Sequence, residues 1–567
     1  MFIKLTSSGP RQYVQLVEAY RDENGRSKQR TVATLGRLDK LQPQQFDGII
    51  AGLSRLAGKA LPEPPPPPTV TFESARALGD VWALTSLWNA RGFDRLRTVC
   101  RRSRHSSDVE ALLRIMTLNR LCDPESKLGV LRWLETVSLP GIVPQAVEHQ
   151  NLLRAMDALI EHREAVDKVL AGLLRPMVDQ ELSVVFYDMT TIRAEGLSEQ
   201  VEDVRRFGMA KEGIVARQFM LGIIQTAEGL PLYHEVFEGN TAEVTTLKPV
   251  IETVVKRFPV KRVIAVADRG LLSTDNLAEL QAITLPGGGS LEFILAVPGR
   301  RYSEFIEVLE PLQDKLSALQ AGQTEGLAES IWNGLRLVVA HQPETAATQG
   351  ARRDKQIAEL GKQAADWIGK LDGQENGVKA KGRKLSDGGT RARFYHAVCE
   401  ARLSRFIRVD LKSDLFSYHL DDKALMHARL MDGKLLLVTN VQDLSPAEVV
   451  ARYKSLADIE RGFRVLKSEI EIGPVYHRLP DRIRAHAALC FMALILYRVM
   501  RQRLKHAQSN LSPERALAQL RRIQHHRITL NESQPMSGIS GISTEQGEIY
   551  GHLKIKKPAV CEQLSLL

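Results

Sequence analysis

Two aspartates in the sequence stand where carboxylates commonly serve an active site. Asp188 ends the apolar run VVFYD, and Asp268 ends the apolar run VIAVAD and is followed by Arg269-Gly270. An acidic residue at the carboxyl end of a buried strand is exposed at the edge of an α/β sheet, where active sites gather. A single aspartate of this kind is usually a turn residue or a helix N-cap, so the pair is compatible with catalysis and with a structural role.

A third acid, Glu460, lies in the segment YKSLADIERGFRVLK, which the pattern predicts to be one helix. Tyr453, Glu460 and Lys467 are spaced seven residues apart, nearly two helical turns, so they share one face. Arg464 lies on the same side. An acid that binds a metal beside groups that hold phosphate and sugar would produce this pattern. A solvent-exposed face of ion pairs would produce it as well.

The composition is that of a globular protein with several domains. The chain has 567 residues, of which 44% are apolar and 25% charged, and its formal net charge is +10. A basic excess points to a polyanionic partner, most often nucleic acid, although basic proteins without such a partner are common. The five cysteines are far apart and form no CxxC pair, which favours a reducing cytoplasm over a disulfide framework or a zinc site.

Two further features favour a cytoplasmic protein without a membrane partner. The first residues, MFIKLTSSGP, lack the apolar region of a signal peptide. The longest apolar stretch, residues 487–500, is too short to span a bilayer and is expected to be a buried helix.

The elements that would position the acids begin with an N-terminal unit. Residues 2–36 alternate in hydrophobicity around Asn24-Gly25, which predicts a β-hairpin, and we assign residues 1–60 to this hairpin and a short helix. The proline-rich residues 61–70 are expected to be a stiff linker. Residues 71–180 repeat apolar residues at helical spacing and are predicted to form a helical domain.

A basic cluster lies within this helical region. Arg101, Arg102 and Arg104 are part of a run of cationic residues between positions 95 and 105. Such a cluster can contact phosphates or can be a solvated helix face, and the sequence leaves both possibilities open.

From residue 182 the pattern changes to short β-type runs. Together with a helical segment between the third and fourth runs, they predict three strands, a helix, a strand, a helix and a strand in an α/β layer. The five runs are LSVVFYDMT, RQFMLGIIQT, LPLYHEVFEGN, KRVIAVADRG and LEFILAVP. A long helical region follows residue 446, and residues 506–567 are predicted to be a helical and loosely ordered tail.

The sequence around the acids resembles the DDE transposases of bacterial insertion sequences, in the branch marked by Tyr-x2-Arg-x3-Glu-x6-Lys. Tyr453, Glu460 and Lys467 fall on that spacing, whereas Leu456 occupies the position of the arginine. Lys454 or Arg464 would have to supply the missing charge. The segments VFEGNT, ADRG and IGPVYHRLPDRIRAH also resemble this branch and occur in the same order.

The resemblance implies a ribonuclease H-like catalytic core formed by residues 181–300 and 441–505. Asp188 would lie on its first strand, Asp268 after its fourth, and Glu460 on a later helix. Residues 301–440 would be a β-rich insertion that interrupts the core. Relatives hold a flipped base on an aromatic residue of the insertion, and Trp332, or else Trp367, is the candidate here unless its ring belongs to the core.

The resemblance also implies the function. The three carboxylates would be catalytic and would bind two Mg²⁺ or Mn²⁺ ions, which activate a water or a 3′-hydroxyl and stabilise the leaving oxygen. The enzyme would act as a homodimer on double-stranded DNA, namely the terminal inverted repeats of an insertion sequence and its target, in a bacterial cytoplasm. The helical domain of residues 71–180 would bind the ends of the element. The alternatives are a ribonuclease H-like nuclease that only cuts and a catalytically silent, transposase-derived DNA-binding protein. A glycosidase fits poorly with a charge of +10 and 6% aromatic residues.

Overall fold

The computed structural model describes most of the chain, and all structural statements below concern residues 1–41, 43–59, 69–101, 108–178, 182–196, 198–209, 215–242, 245–258, 260–267, 274–285, 288–317, 325–377, 384–530 and 535–559. The chain divides into two compact units. The first comprises Met1–Thr71 with Thr529–Gln534, and the second comprises Phe72–Ile528 with Pro535–Leu567.

The first unit contains the hairpin that the sequence predicts. Its antiparallel sheet consists of β1 (Phe2–Ser8), β2 (Arg11–Arg21) and β3 (Ser27–Arg37), in that order, and the helix α1 (Pro43–Leu56) follows. The turn between β2 and β3 is closed by Asp22, whose Oδ1 accepts hydrogen bonds from the backbone N–H groups of Asn24 (3.1 Å) and Arg26 (2.9 Å). Gly25 has φ +74°, a conformation that glycine adopts readily. The prolines at 62–68 lie outside the described residues.

A helical region follows, as predicted, but it starts with a strand. Its elements are β4 (Val70–Ala77), α2 (Gly79–Arg91), α3 (Leu96–Cys100), α4 (Val109–Cys122), α5 (Lys127–Thr136), α6 (His149–Glu161) and α7 (Arg163–Leu174). Residues 70–77 form a strand rather than a helix because a distant segment, Gln524–Leu530, pairs with them in a three-stranded sheet. Helical propensity at these positions is outweighed by this pairing.

The predicted α/β layer is present, with one additional short strand, Arg206–Met209, that the sequence did not predict. Its elements are β5 (Leu182–Arg193), β6 (Arg206–Met209), β7 (Val215–Thr226), β8 (Pro231–Glu238), α8 (Leu247–Arg257), β9 (Arg262–Ala267), α9 (Thr274–Gln281) and β10 (Glu292–Ala296). The strand order through its centre is β8-β7-β5-β9-β10. β5 is antiparallel to β7 and parallel to β9, and β10 is parallel to β9.

Residues 301–440 do not form the β-rich insertion that the sequence predicts. Their elements are α10 (Ile306–Leu309), α11 (Gln313–Ser317), β11 (Gly326–Trp332), β12 (Leu335–His341), α12 (Pro343–Glu375), α13 (Asp387–Glu400), β13 (Ile407–Val409), β14 (Tyr418–Leu420), α14 (Asp422–Met431) and β15 (Lys434–Thr439). β11, β12 and β15 extend the central sheet beyond β10. Between β12 and β15 the described chain is mainly helical, because α12 is rich in Ala, Gln, Lys and Glu, which favour helix.

The C-terminal part is better ordered than the sequence predicts. It contains α15 (Pro446–Lys454), α16 (Ala457–Ser468), α17 (Pro480–His506), α18 (Pro513–Arg521), β16 (Gln524–Leu530), β17 (Met536–Ile539) and α19 (Thr544–His552). The prediction of a loosely ordered tail is wrong for the described residues up to 559. β17 pairs with β16, and α19 begins at a capping box in which Ser543 and Gln546 bond to each other's backbone N–H.

This C-terminal segment packs on the first helix of the same unit. Asp80 of α2 is fully buried, and one of its carboxylate oxygens accepts a hydrogen bond from Nε of Arg521 at 2.8 Å. The buried Tyr550 hydroxyl donates to the backbone carbonyl of Gly79 at 3.0 Å. The start of the helical region is therefore completed by residues from the end of the described chain.

The long helix α17 is a core helix. By length and composition alone, this helix could cross a membrane. However, 94% of its most apolar 18-residue segment is buried inside the protein. Residues 487–500 are thus buried, as the sequence predicts. Of the cysteines, Cys100, Cys122, Cys399 and Cys490 carry free thiols.

The two faces of the central sheet pack on different elements. One face, which includes Val185 and Tyr187, belongs to a large core shared with α8, α17 and the helical region. The opposite face, which includes Phe186 and Ile192, packs on α15 through one cluster and on α16 and α17 through another. Asp188, two residues after Phe186 on the same strand, lies on this second face.

Candidate active site

Asp188 lies in the middle of a strand and does not end it, contrary to the prediction from the sequence. β5 continues to Arg193 because β7 pairs with it over the whole stretch, with Asp188 opposite Ile223. On the other side, β5 pairs with the parallel strand β9, in which Ala267 lies opposite Tyr187. Asp188 therefore follows directly after the last described pair between β5 and β9.

The Asp188 side chain lies between two hydrophobic clusters. Successive residues of a strand point to opposite faces, so Asp188 shares its face with Phe186 and Ile192. Phe186 packs in the cluster that contains α15, and Ile192 in the cluster that contains α16. The carboxylate is partly buried, and its Oδ1 accepts a hydrogen bond from the backbone N–H of Met189 at 2.7 Å. It lies on the sheet face that the segment with Glu460 covers.

The other two acids are described less fully. Asp268 follows Ala267 directly in the sequence but lies outside the described residues. Glu460 belongs to α16, three residues before Phe463, which is buried against the sheet, but its side chain is not among those described. Within the described part of the chain, no group of three or more His, Cys, Asp or Glu side chains could hold a metal ion.

The segment 453–467 is two helices, so the prediction of one continuous helix is wrong. α15 ends at Lys454 and α16 begins at Ala457. The break has a physical cause. The Ser455 hydroxyl bonds back to the Ala451 carbonyl at 3.0 Å, and the Leu456 N–H bonds to the Tyr453 carbonyl at 2.9 Å, which tightens the turn. Tyr453 therefore does not share a helix face with Glu460 and Lys467, which both lie on α16.

The residue at the family's arginine position has a packing role here. Leu456 is 7% exposed and packs with Val449 and Val450 of α15. Of the two cations that would replace the missing charge, Lys454 already contacts both carboxylate oxygens of Glu325 at 2.8 Å. Arg464 is exposed on α16, the helix that carries Glu460. The geometry thus favours Arg464 over Lys454.

A glycine that the sequence analysis did not single out sets the position of α16. A methyl group on Gly462 would lie 2.7 Å from Nε2 of Gln225 and 3.0 Å from a guanidinium nitrogen of Arg498. Gln225 is fully buried on β7, and Arg498 is buried on α17. Gly462 therefore lets the helix approach the sheet two residues after Glu460. A glycine inside a strongly periodic helix is the signal that could have identified it.

The basic cluster of the helical region is described only in part. Arg101 is exposed at the end of α3, and Arg102 and Arg104 lie outside the described residues. The neighbouring Arg97 is engaged within the protein, because its guanidinium bonds to the buried Glu110 at 3.0 Å.

The two tryptophans proposed to hold a base both pack within the fold. Trp332, at the end of β11, is 8% exposed, and its ring stacks on Phe305 with a centroid separation of 4.6 Å. The guanidinium carbon of Arg301 lies 5.9 Å from the Trp332 ring centroid. Trp367 is partly buried and meets Phe394 edge-on at 6.5 Å. Burial and stacking favour a packing role for Trp332 over contact with a base.

Comparison with known proteins gives two family matches. Residues 3–65 match the family described as "IS1634 family transposase, N-terminal domain", and residues 179–496 match the family described as "Transposase DDE domain". Among curated proteins, no significant match was found. A similar solved structure is the "Cryo-EM structure of piggyBac transposase synaptic complex with hairpin DNA (SNHP)". Its TM-score is 0.39 at 6% sequence identity over 78% of this chain and 79% of that chain, a likeness too weak to carry fold or function across.

Proposed function

Because this chain belongs to the DDE transposase family, matched over more than half of its length, we propose that Asp188, Asp268 and Glu460 are its catalytic carboxylates. The observation that carries this assignment is the register of two parallel strands. Tyr187 of β5 pairs with Ala267 of β9, and the next residues in the sequence are the two aspartates. Glu460 belongs to the helix that packs on the same face of β5.

The catalytic core is ribonuclease H-like in this proposal. The strand order β8-β7-β5-β9-β10 supports it, with three antiparallel strands followed by two parallel ones. The core comprises residues 181–300 and 441–505, extended by β11, β12 and β15. The mainly helical segment between β12 and β15 is then the insertion.

The donor set fits Mg²⁺ or Mn²⁺. Asp188 presents a partly buried carboxylate, and hard oxygen ligands of this kind are those that both cations prefer. When bound, two such ions supply Lewis-acid activation of a water or a 3′-hydroxyl and stabilise the leaving oxygen. The protein's own part is to hold the three carboxylates on one sheet face and, through Gly462, to fix the height of α16 above it.

The substrate in this proposal is the DNA of the element's two ends and of its target. The resemblance to insertion-sequence transposases further implies that two copies of the chain act together on two ends. Exposed Arg464 and the partly buried Lys467 would then contact the strand beside the carboxylates. Tyr453, on the preceding helix, would contact the same strand from the other side of the break.

Replacing Lys467 by Ala is expected to lower strand cleavage partially, and most severely at high salt. Glu460 and Lys467 are seven residues apart on α16, about 10 Å along the helix axis, so Lys467 is too far away to share one ion with Glu460. At this distance Lys467 would instead contact a neighbouring phosphate of the DNA, and dissolved salt screens such a contact. The measurement is cleavage of a terminal-repeat duplex across a salt series, with DNA binding followed in parallel.

Glu460→Gln is the reference for this experiment, since it should be inactive at every salt concentration with binding intact. Tyr453→Phe should retain more activity than Tyr453→Ala if the ring packs on sugar or base. A Lys467→Ala protein that is inactive at all salt concentrations would instead place Lys467 in the chemistry. Wild-type behaviour of Lys467→Ala would mean that this helix face is only solvated.

Replacing Arg101, Arg102 and Arg104 together by Ala is expected to weaken binding of the element's ends and to flatten its salt dependence. Each lost phosphate contact removes about one unit from the slope of log affinity against log salt. A matched control removes three exposed cations of α12, namely Arg352, Lys355 and Lys362. If both triple variants show the wild-type slope, the cluster is a solvated surface and not a DNA contact.

A further inference from the structure

A cavity of about 680 Å³ lies at one end of β5, away from the carboxylate site. The first turns of three helices line it: Lys127 of α5, His149 of α6 and Arg482 of α17. Most of the remaining wall comes from the segment before α5 and from the loop that joins α16 to α17. Helix N-termini carry partial positive charge and exposed N–H groups, so three of them around one cavity favour an anion.

Lys127 is the central feature of this cavity. It is 6% exposed and lines the wall, and its amine forms no hydrogen bond or ion pair with the described residues. Burial, reinforced by the charge of Arg120, lowers the pKa of the Lys127 amine to about 7. Two further buried nitrogens have no partner in this part of the chain, Nε of Arg120 and Nδ1 of His486. A buried cation without a counter-charge is costly, so an anion bound in this cavity would stabilise the protonated form of the Lys127 amine.

The carboxylates near the cavity do not neutralise Lys127. Glu125 and Glu471 belong to the wall, but neither is ion-paired with it. Arg482, in contrast, is held by Asp157 at 2.8 Å. The described wall therefore supplies no carboxylate partner for the protonated Lys127 amine.

The mouth of the cavity offers an aromatic ring. Tyr476 is 72% exposed, and Leu128 and Leu479 beside it are 56% and 44% exposed. An exposed aromatic next to a cationic groove is the usual arrangement for stacking a base of a single strand while its backbone is held electrostatically. We propose that this cavity takes one unpaired nucleotide of a DNA strand, with its phosphate at Lys127 and its base on Tyr476.

The location suits a strand that also passes the carboxylates. The N–H of Val475 in the cavity wall bonds to the carbonyl of Arg193 at 3.0 Å. Arg193 lies on β5 five residues beyond Asp188, a distance of roughly 17 Å at ~3.3 Å per residue. The inference rests on DNA being the substrate, and it adds a second contact point away from the reacting phosphate.

The test measures the affinity of the full-length protein for a single-stranded oligonucleotide and for the same sequence as a duplex, across a salt series. Lys127→Met should weaken single-strand binding and lower its salt slope by about 0.7, the value for one phosphate contact on a single strand. Lys127→Arg should restore both. Lys168→Met, which removes an exposed lysine of α7, is the matched control and should bind like wild type.

Tyr476→Ala should weaken single-strand binding roughly fivefold or more and duplex binding far less, because only an unpaired base can stack on the ring. Tyr476→Phe should keep the affinity. Since Tyr476 is exposed, these variants keep the proposal testable even if Lys127 variants fold poorly. Lys127→Met should itself melt no lower than wild type near neutral pH, because it removes a buried amine.

A pH series supplies a second signature. The groups that face Lys127 are Arg120 of α4, His477 of the loop, and His486 and Cys490 of α17. Burial lowers the pKa of His477 to about 3 and that of His486 well below its usual value, and it raises the pKa of Cys490 to about 11. Single-strand binding should therefore weaken between about pH 6 and about pH 8 as Lys127 loses its proton, more than in Lys127→Arg. His149 at the mouth is present in both proteins and cancels in the comparison.

Three results would overturn the proposal while leaving the transposase assignment intact: wild-type affinity and slope in Lys127→Met, equal loss on single strand and duplex in Tyr476→Ala, or saturable binding of inorganic phosphate alone at millimolar concentration. The last result would make the cavity a site for free phosphate. Failure of the wild-type protein to bind any DNA would instead contradict the proposed function itself.

Discussion

Replacing Asp188 by Asn is expected to reduce strand cleavage by at least about a thousandfold while DNA binding persists. Asn keeps the shape of the side chain and loses the charge that a divalent cation needs. The strand pairing of Asp188 with Ile223 uses backbone groups and is unaffected, so the fold should survive. Asp268→Asn and Glu460→Gln should behave in the same way, because we propose that the three carboxylates bind the metal together.

The measurement is cleavage of labelled terminal-repeat DNA in Mg²⁺, with binding and thermal melting recorded for each variant. Asp443→Asn is a suitable control, because Asp443 is a carboxylate of the same unit that pairs with Arg262 at 2.6 Å. It should cleave at the wild-type rate. Near-normal cleavage by any of the three acid variants would remove that residue from the catalytic set.

Trp332→Ala should destabilise the protein by roughly 3–5 kcal/mol, the usual cost of deleting a buried tryptophan side chain. The ring is 8% exposed and stacks on Phe305, so its removal leaves a cavity beside β11. The shift of the thermal melting midpoint is the measurement, since a chain with more than one compact unit need not unfold in a single step.

Ile331→Ala in the same strand is the control, because Ile331 is 73% exposed and should melt close to wild type. Trp332→Phe should recover much of the lost stability. If Trp332→Ala melts like wild type but loses cleavage or binding of distorted DNA, the packing interpretation is wrong. Trp332 would then be the residue that holds a flipped base.

The α/β layer could be predicted from the sequence because its strands carry strong local signals. The apolar runs around Asp188 and Ala267 are short and rich in residues that favour β-strands, and each forms a strand. The hairpin at Asn24-Gly25 is equally local. Such features need no information about distant partners.

The features that the sequence did not predict depend on distant contacts. Residues 70–77 form a strand only because Gln524–Leu530 pairs with them. The break after Lys454 combines a distant and a local cause: Leu456 is buried in a cluster that includes Phe186 of the sheet, and the Ser455 hydroxyl bonds back to the Ala451 carbonyl. The periodicity of apolar residues in a segment does not reveal which distant strand or hydrophobic cluster that segment will pack against.

The ion pair between Asp80 and Arg521 also determines when the protein can finish folding. The two residues are 441 positions apart, so at 5–20 residues per second a ribosome needs roughly 20 to 90 s to reach the second after making the first. Until then the Asp80 carboxylate lacks its counter-charge, and the start of α2 lacks the packing of Tyr550. A nascent chain therefore cannot complete its helical region until Arg521 and Tyr550 have been synthesised, and products released before that point lack a finished helical region.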